Sequence, residues 1–231
     1  MSILANDASK VYGQTSAPAG TAFTTPVAPI AGETVLSITE TSTGSAATAS
    51  VAGSTYPIIP SAAAANGAFN PANYTITYLN GALTVTPAPL AVIAKDATKP
   101  FGQTPVLPTT AFTTVGLVNG DTVTSVTEVS PGTVATAPVA GNPYAITPSN
   151  ATGSYVPGNY TVTYVDGVLT VTPIPLTVKA NDASKPFGQT AVLPATAFTT
   201  VGLVNGDTVT SVTEVSPGAV ATAPVAGNPY A

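Results

Sequence analysis

The side chains that could do chemistry in this sequence are few, and most recur at matching places. They are lysines, glutamates and asparagines, at Lys10, Lys99, Lys185, Glu40, Glu128, Glu214, Asn73 and Asn159. A lysine amine and an asparagine amide can condense into a cross-link, with loss of ammonia, when a carboxyl group lies beside them. Spacing alone does not bring the three types together. We therefore interpret them as an exposed lysine in a loop, a glutamate on a solvated strand face and an asparagine that opens a turn.

Enzymatic chemistry is not expected from the remaining residue types. The chain contains no His, no Cys and no Arg, whereas catalysis needs a positioned base, acid or metal. Asp121 and Glu128 recur as Asp207 and Glu214 in a nearly identical context, and an active site duplicated in tandem is unusual. No Asp-x-Asp-x-Asp-Gly run gathers the roughly six to eight oxygens of a calcium site. Asp121 and Asp166 are interpreted as turn residues, so we expect no catalytic residue, no cofactor and no metal.

Composition and charge argue against two kinds of partner. The net charge is −5, the isoelectric point is near 4.2, and all five basic residues are lysines. This composition offers no basic surface that would bind nucleic acid or anionic lipid. The longest apolar run, Leu90–Ala94, is far shorter than the roughly 20 residues of a membrane span. The residues after Met1 lack the charged start and apolar stretch of a signal peptide. We expect no nucleic acid partner and no membrane insertion.

The chain consists of long internal repeats. Residues 96–145 return as residues 182–231, at an offset of 86 residues and with 46 of 50 positions identical. The first copy has diverged further. Because this period exceeds the roughly 20–50 residues of solenoid units, each copy should be a domain with its own core. The boundaries are placed at 1–87, 88–173 and 174–231, and the last copy is incomplete. We call these repeats 1, 2 and 3.

The elements that must position these residues are expected to be strands. The sequence has 23 Pro and 20 Gly among 44% hydrophobic residues, and no stretch keeps a helical period over three turns. Alternation of apolar residues with Thr and Ser is typical of strands with one solvated face. Besides the closing segment of each repeat, strands are predicted at 90–94, 111–115, 122–129, 134–136, 144–147 and 176–180.

The closing segment of repeat 2, Asn159–Pro173, predicts a β-hairpin. Apolar residues alternate with Thr on both sides of Asp166 and Gly167, a pair that accepts the two positive φ angles of a type I′ turn. In this register Tyr164 would lie opposite Leu169 on a buried face. The same hairpin is expected in repeat 1.

The expected fold class is all-β. It consists of tandem small antiparallel β-sandwich domains, Ig-like or β-grasp-like, joined end to end by short Pro-containing linkers. The linkers are Thr-Pro-Ala-Pro-Leu at 86–90 and Thr-Pro-Ile-Pro-Leu at 172–176. Because proline pairs restrict a linker to extended conformations, the array is expected to be stiff and extended.

Four segments in order resemble a known family. They are NDASKVYGQ after an opening strand, GLVNGDTVTSVT, VAGNPYAITPS and NYTVTYVDGVLTVTP. The unit resembles the bacterial MBG domain of the YGX type across essentially the whole chain. The Tyr-Gly of that type is Tyr12-Gly13 in repeat 1 and becomes Phe101-Gly102 and Phe187-Gly188 later, so we interpret it as an aromatic packing position that tolerates loss of the hydroxyl. The resemblance implies tandem extracellular modules of long adhesin-like or filament-forming surface proteins, without catalytic residues.

The function expected from these features is a structural spacer or stalk repeat of an extracellular bacterial adhesin or surface filament. The expected partners are neighbouring repeats or copies of the chain itself, and any host or surface ligand stays open. One alternative is a glycan- or protein-binding module of an adhesin. Trp is absent and aromatic residues make up 6%, so an aromatic platform for sugars is missing. The other alternative is a head-to-tail filament subunit completed by strands of a neighbouring chain. The expected location is extracellular or at the bacterial cell surface.

Repeat 3 lacks counterparts of residues 146–173. The absent segment includes five apolar or aromatic residues that would each contribute roughly 1.5–3 kcal/mol when buried, a sum comparable with the net stability of a domain. Alone, repeat 3 is therefore not expected to fold well, and it should expose unpaired strand edges. Either the sequence is a window from a longer repetitive chain, which we favour because the cut falls inside a unit, or a neighbouring molecule supplies the strands.

Overall fold

The computed structural model describes residues 1–231, except for the side chains at positions 65 and 66. In repeat 1 the strands are β1 (Ser2–Ala5), β2 (Ala8–Val11), β3 (Phe23–Val27), β4 (Thr34–Thr41), β5 (Tyr56–Asn66), β6 (Thr77–Leu79) and β7 (Gly81–Thr86). In repeat 2 they are β8 (Ala88–Ala94), β9 (Ala97–Pro100), β10 (Phe112–Val115), β11 (Val123–Val129), β12 (Tyr144–Gly153), β13 (Tyr160–Val165) and β14 (Gly167–Thr172). Repeat 3 contains β15 (Thr177–Ala180) and β16 (Phe198–Val201).

Short 3-10 helices separate many of these strands. They are Thr43–Ser45, Val51–Gly53, Pro71–Asn73, Pro131–Thr133, Val139–Gly141, Pro157–Asn159, Pro217–Ala219 and Val225–Gly227. Several begin after a serine whose side chain accepts a backbone N–H of the turn, as Ser130 does from Gly132, which satisfies a donor that the short helix leaves free. Since the described backbone otherwise holds strands and turns and no α-helix, the all-β fold class is confirmed.

Each complete repeat contains two sheets, and the sheets mix parallel and antiparallel pairs. In repeat 1 the strand orders are β3-β1-β6 and β2-β7-β5-β4. β1 pairs in parallel with β6, and β2 pairs in parallel with β7, where Lys10 lies opposite Val85. β5 is antiparallel to β7, with Tyr56 opposite Leu83. The sequence predicted an antiparallel sandwich, and the structure adds that the two strand pairs which join the opening and closing segments of the repeat, β1 with β6 and β2 with β7, are parallel.

Repeat 2 repeats this arrangement. Its strand orders are β10-β8-β13 and β11-β12-β14-β9. β13 runs parallel to β8, with Tyr164 opposite Val92, and β14 runs parallel to β9, with Val171 opposite Lys99. In repeat 3, β15 and β16 form an antiparallel pair.

The predicted hairpin is wrong. β13 and β14 belong to different sheets, so Asp166 lies at a corner between sheets rather than in a two-residue turn. Neither Asp166 nor Gly167 has a positive φ. A Cβ on Gly167 would lie 2.8 Å from the carbonyl oxygen of Ala94, so glycine is needed for close approach and not for turn geometry. Tyr164 is 38% exposed instead of buried opposite Leu169. The strand predicted at 134–136 is also absent, since this segment forms turns after a 3-10 helix.

The chain divides into two compact units, and neither coincides with a repeat. The first holds Met1–Lys95, Leu107–Val129 and Ile146–Gly167, and the second holds Asp96–Val106, Ser130–Ala145 and Val168–Ala231. The boundaries of the repeats at 87/88 and 173/174 stay predictions.

The first unit contains the main apolar clusters. One lies between the two sheets of repeat 1, around Ile3, Ile38 and Phe69. A larger cluster includes Tyr12 and Val85 of repeat 1 together with Leu90 and Tyr160 of repeat 2. Apolar packing in this unit therefore continues across position 87/88.

Candidate functional site: the joint between repeats

Within the first unit, repeat 1 meets repeat 2 at a surface that we call the joint. On the side of repeat 1, the joint consists of the stretch after β2 and the stretch after the first 3-10 helix. On the side of repeat 2, it consists of the loop before β11 and the start of β13. Its residues are Tyr12, Gly13, Ala47, Val51, Val118, Asn119, Asp121, Asn159 and Tyr160. A single residue, Pro87, connects β7 to β8, so the two repeats are also held together by a very short connection.

Two tyrosines and one aspartate form the centre of the joint. The rings of Tyr12 and Tyr160 meet edge to face, with centroids 5.4 Å apart and an interplanar angle of 78°, a geometry favoured by aromatic pairs. The Tyr160 hydroxyl donates to Oδ2 of Asp121 at 2.6 Å, and the Tyr12 hydroxyl donates to the same oxygen at 3.3 Å. Burial, followed by the hydrogen bond to Asp121, raises the pKa of Tyr160 to about 12. Tyr12 thus occupies the aromatic packing position that the sequence suggested.

Gly13 allows the two repeats to approach closely. It has a φ of +88°, and an ideal Cβ on it would lie 2.5 Å from Cγ2 and 2.7 Å from Cβ of Val118. Both the left-handed backbone and the contact exclude larger residues. The Gly13 N–H donates to the carbonyl oxygen of Ala47 at 3.1 Å, which fixes the loop that carries it.

Two asparagines of repeat 2 donate to or accept from backbone groups of repeat 1. Asn119, which has a φ of 56°, donates from Nδ2 to the carbonyl oxygen of Ala47 at 3.1 Å. Asn159 accepts from the Val51 N–H at 2.9 Å through Oδ1 and is 5% exposed. Asparagine tolerates the left-handed conformation better than most residues, so Asn119 suits both its turn and its contact.

Three of these contacts recur in the second unit, between repeats 2 and 3. Asn205, also with a φ of 56°, donates from Nδ2 to the carbonyl oxygen of Ala135 at 3.1 Å. Gly102 has a φ of +87°, and an ideal Cβ on it would lie 2.7 Å from Cγ2 of Val204. The Gly102 N–H donates to the Ala135 oxygen at 3.1 Å. The chain thus contains two joints with equivalent contacts.

The interpretation of the recurrent lysines as exposed is wrong for repeats 1 and 2. Lys10 is 6% exposed and Lys99 is 2% exposed. Nζ of Lys99 donates to the carbonyl oxygens of Gln103, at 2.9 Å, and Val134. Nζ of Lys10 makes the equivalent bonds in repeat 1, and burial lowers its pKa. The ammonium group of each buried lysine is thus satisfied by two backbone carbonyl groups of its own repeat. The recurrence of lysine at this place was the only signal of that role in the sequence.

The recurrent glutamates and asparagines have separate roles. One carboxylate oxygen each of Glu40, Glu128 and Glu214 is buried without a hydrogen-bond partner, so the interpretation of a fully solvated face is wrong. Burial raises the pKa of Glu40 and Glu128. Asn159, which was expected to open a turn, ends the 3-10 helix Pro157–Asn159 and lies in the joint. The hydrogen-bond partners of the buried lysines and of Asn159 are backbone groups rather than one another.

The described residues contain neither a metal cluster nor a membrane-spanning helix. Among residues 1–64 and 67–231, no three His, Cys, Asp or Glu side chains are grouped so that they could hold a metal ion. None of the helices in the described part of the chain is long and apolar enough to cross a membrane.

The sheets and the repeated joint define a tandem all-β repeat protein. The chain belongs to the MBG domain (YGX type) family, whose model matches residues 1–84, 90–170 and 176–231. The resemblance noted from four sequence segments is therefore confirmed, and the Gly of the family's Tyr-Gly is the residue that lies against valine at each joint. No curated protein matches the chain, and no solved structure matches it.

Proposed function

We propose that this chain is a structural spacer of an extracellular bacterial adhesin or surface filament. The observation that supports it best is the recurrence of the joint, because the Asn119 bond to Ala47 returns as the Asn205 bond to Ala135 with the same length of 3.1 Å. A spacer needs successive modules to be held in the same way each time. MBG domains occur in surface proteins, which agrees with this role.

The chemistry of the joint suits a spacer that works outside the cell. Tyr12, Val118 and Tyr160 supply apolar packing, amide groups supply hydrogen bonds, and the Asp121 carboxylate accepts from both tyrosine hydroxyls. Salt screens interactions between exposed charges far more than it affects packing and buried hydrogen bonds. A joint of this kind keeps its geometry when the ionic strength of the surroundings changes.

The proposal is tested by measuring how firmly repeat 1 is held to repeat 2. The chain has no cysteine, so spin labels can be attached uniquely to a Thr24→Cys, Thr163→Cys variant, in which both positions are exposed. Pulsed electron paramagnetic resonance should give one narrow distance distribution, unchanged between low and high salt.

A variant of the same labelled chain with Tyr160→Ala is the matched control. It removes the central ring of the joint and should broaden the distribution. If the unaltered joint already gives a distribution as broad as this variant, the repeats are not held together and the spacer proposal is wrong.

A further inference from the structure

In each complete repeat, the strands that open the repeat and the strands that close it run side by side in the same direction. In repeat 1 the opening strands are β1 and β2, and the closing strands are β6 and β7. β1 pairs in parallel with β6 from Ser2 to Leu4, and β2 pairs in parallel with β7 from Ala8 to Val11. In repeat 2 the corresponding parallel pairs are β8 with β13, over six residues, and β9 with β14, over four.

This arrangement decides how tension along the chain acts on the hydrogen bonds between the strands. Tension pulls the opening strands towards their N-terminal ends and the closing strands towards their C-terminal ends. Because paired opening and closing strands are parallel, these directions are opposite along one axis, and the strands must slide past each other. The evenly spaced bonds of a parallel pair then resist together. In an antiparallel pair pulled at two adjacent ends, the bonds would break one after another.

The strands that receive the tension are interior strands of their sheets. In repeat 1, β1 lies between β3 and β6, and β7 lies between β2 and β5. In repeat 2, β8 lies between β10 and β13, and β14 lies between β12 and β9. A strand with partners on both sides has no free edge from which it could be peeled. Since Pro87 alone connects β7 to β8, tension passes from one interior strand to the next with little slack.

The end of β7, where tension leaves repeat 1, is held by bonds beyond those of the paired strands. The Thr86 hydroxyl donates to the carbonyl oxygen of Lys10 at 3.2 Å, and the Tyr12 N–H donates to the Thr86 oxygen at 2.8 Å. The Ser54 hydroxyl accepts the Val85 N–H at 2.6 Å and donates to the Val85 oxygen at 3.3 Å. These bonds fix the last two residues of the closing strand.

Repeat 2 holds the end of β14 in the same way with a different side chain. The Thr172 hydroxyl donates to the carbonyl oxygen of Lys99 at 3.3 Å, and the Phe101 N–H donates to the Thr172 oxygen at 2.9 Å. Asn142, in the position of Ser54, donates from Nδ2 to the Val171 oxygen at 2.7 Å and accepts the Val171 N–H through Oδ1 at 2.8 Å. The bonds to the closing strand are thus kept although the residue that makes them differs.

We propose that each complete repeat is a mechanical clamp, which resists unfolding when the chain is pulled lengthwise. The parallel pairs of opening and closing strands are the resisting element of the clamp. Ser54 in repeat 1 and Asn142 in repeat 2 fasten the end of the closing strand, where tension is transmitted to the next repeat. The clamp acts within one repeat, so this inference does not depend on the spacer function, which concerns how successive repeats are held together.

The first experiment pulls the full 231-residue chain in optical tweezers along two directions. With handles at both ends, repeats 1 and 2 should each unfold in one event that releases about 280–300 Å of extended chain. The comparison moves the second handle to Ala28→Cys, an exposed position after β3 in a chain without other cysteines. β1 and β3 are antiparallel, with Ser2 opposite Val27, so this pull opens their pairs one by one. The two events of the end-to-end pull should need the higher force.

The second experiment compares two variants under constant end-to-end force. Asn142→Ala removes two bonds to β14 and should make repeat 2 unfold about tenfold faster, without changing the event of repeat 1. Ser125→Ala is the matched control, because it removes a 2.7 Å bond to the Thr152 hydroxyl between β11 and β12, which are neither opening nor closing strands. It should leave the unfolding rate under force unchanged.

The clamp proposal is overturned if the end-to-end pull needs no more force than the pull at position 28. It is also overturned if Asn142→Ala and Ser125→Ala change the unfolding rate under force equally. Neither result bears on the label distances between repeats 1 and 2, so the spacer proposal is tested separately.

Discussion

The Tyr160 hydroxyl lies 2.6 Å from the Asp121 carboxylate. This hydrogen bond links the first residue of β13 to the loop before β11, which contacts the preceding repeat. Asp121 also accepts from Tyr12 of that preceding repeat. A single carboxylate therefore couples the folding of repeat 2 to its contact with repeat 1. Hydrogen bonds to a charged acceptor are stronger than those between neutral groups, which makes this pair the most informative target for mutation.

Alkaline conditions should weaken the joint through Tyr160. Its pKa is raised to about 12, above the value near 10 of a free tyrosine. A raised pKa means that the fold favours the neutral phenol, so the contribution to stability is complete below about pH 10 and is lost as the pH rises towards about 12. Melting temperatures across this range should fall for the natural chain. At neutral pH the Tyr160→Phe variant should be less stable than the natural chain by about 1.5–3 kcal/mol, but its melting temperature should fall less over this pH range. The melting temperature of Tyr164→Phe should follow that of the natural chain.

Gly13→Ala should destabilise the joint more than Gly188→Ala. Both glycines have positive φ angles, +88° and +86°, but only Gly13 lies against another side chain, with Val118 2.5 Å from its ideal Cβ. The backbone cost of about 1–2 kcal/mol is common to both variants, so their difference in urea unfolding measures the steric contact. Equal losses of stability in the two variants would show that Val118 moves aside without an energetic cost.

Glu128→Gln should stabilise the protein at neutral pH. Burial raises the pKa of Glu128, so the fold disfavours the carboxylate. This carboxyl group contributes most to stability below the pKa of an unfolded glutamate and loses that contribution as the pH rises through its folded pKa. The gain from Gln should therefore appear above that range and vanish in acid, and Glu40→Gln should behave alike. Asp166→Asn removes the same charge from an exposed corner, and an equal gain there in calorimetry would contradict the role of burial.

Lys99→Met should destabilise repeat 2 by about 1–3 kcal/mol, because it removes two hydrogen bonds from a charged donor. Lys99 binds two carbonyl oxygens and is 2% exposed. Lys185→Met is the matched variant, because Lys185 has the same sequence surroundings but is only partly buried. Denaturant unfolding should show a clearly larger loss for Lys99→Met, and losses of the same size would indicate that the carbonyl bonds contribute little.

The intact mass of the folded chain should equal the mass calculated from its sequence. Nζ of Lys99 donates to the Val134 oxygen, and Oδ1 of Asn159 accepts from the Val51 N–H, so each side chain has a backbone partner of its own. Mass spectrometry that shows the loss of one ammonia per complete repeat would establish a lysine–asparagine cross-link instead.

Short-range features of this fold could be predicted from the sequence. Alternation placed strands at 111–115 and 122–129, within one residue of β10 and β11. The position of Tyr12 as buried aromatic packing also followed from its recurrence as phenylalanine. These predictions depend on local periodicity, which a strand with one buried face displays directly.

Long-range pairing could not be predicted in the same way. The Asp166-Gly167 pair suits a hairpin turn locally, yet β13 and β14 separate because each pairs in parallel with an opening strand far away in the sequence. The burial of Lys99 has the same origin, since Lys99 lies beside Val171 of that distant strand. Nor does any local signal show that Asn119 reaches Ala47, and so the sequence did not predict the joint.

The two faces of the joint are different surfaces of the same repeat. Repeat 2 carries both, presenting Asn119 to the repeat before it and the Ala135 carbonyl to the repeat after it. Such contacts are heterologous, because two different surfaces of the repeat meet at each joint. When recombination between near-identical gene segments inserts or deletes one whole copy, every remaining joint still consists of the same two faces. A chain with one repeat more or one fewer therefore needs no compensating substitution at its joints.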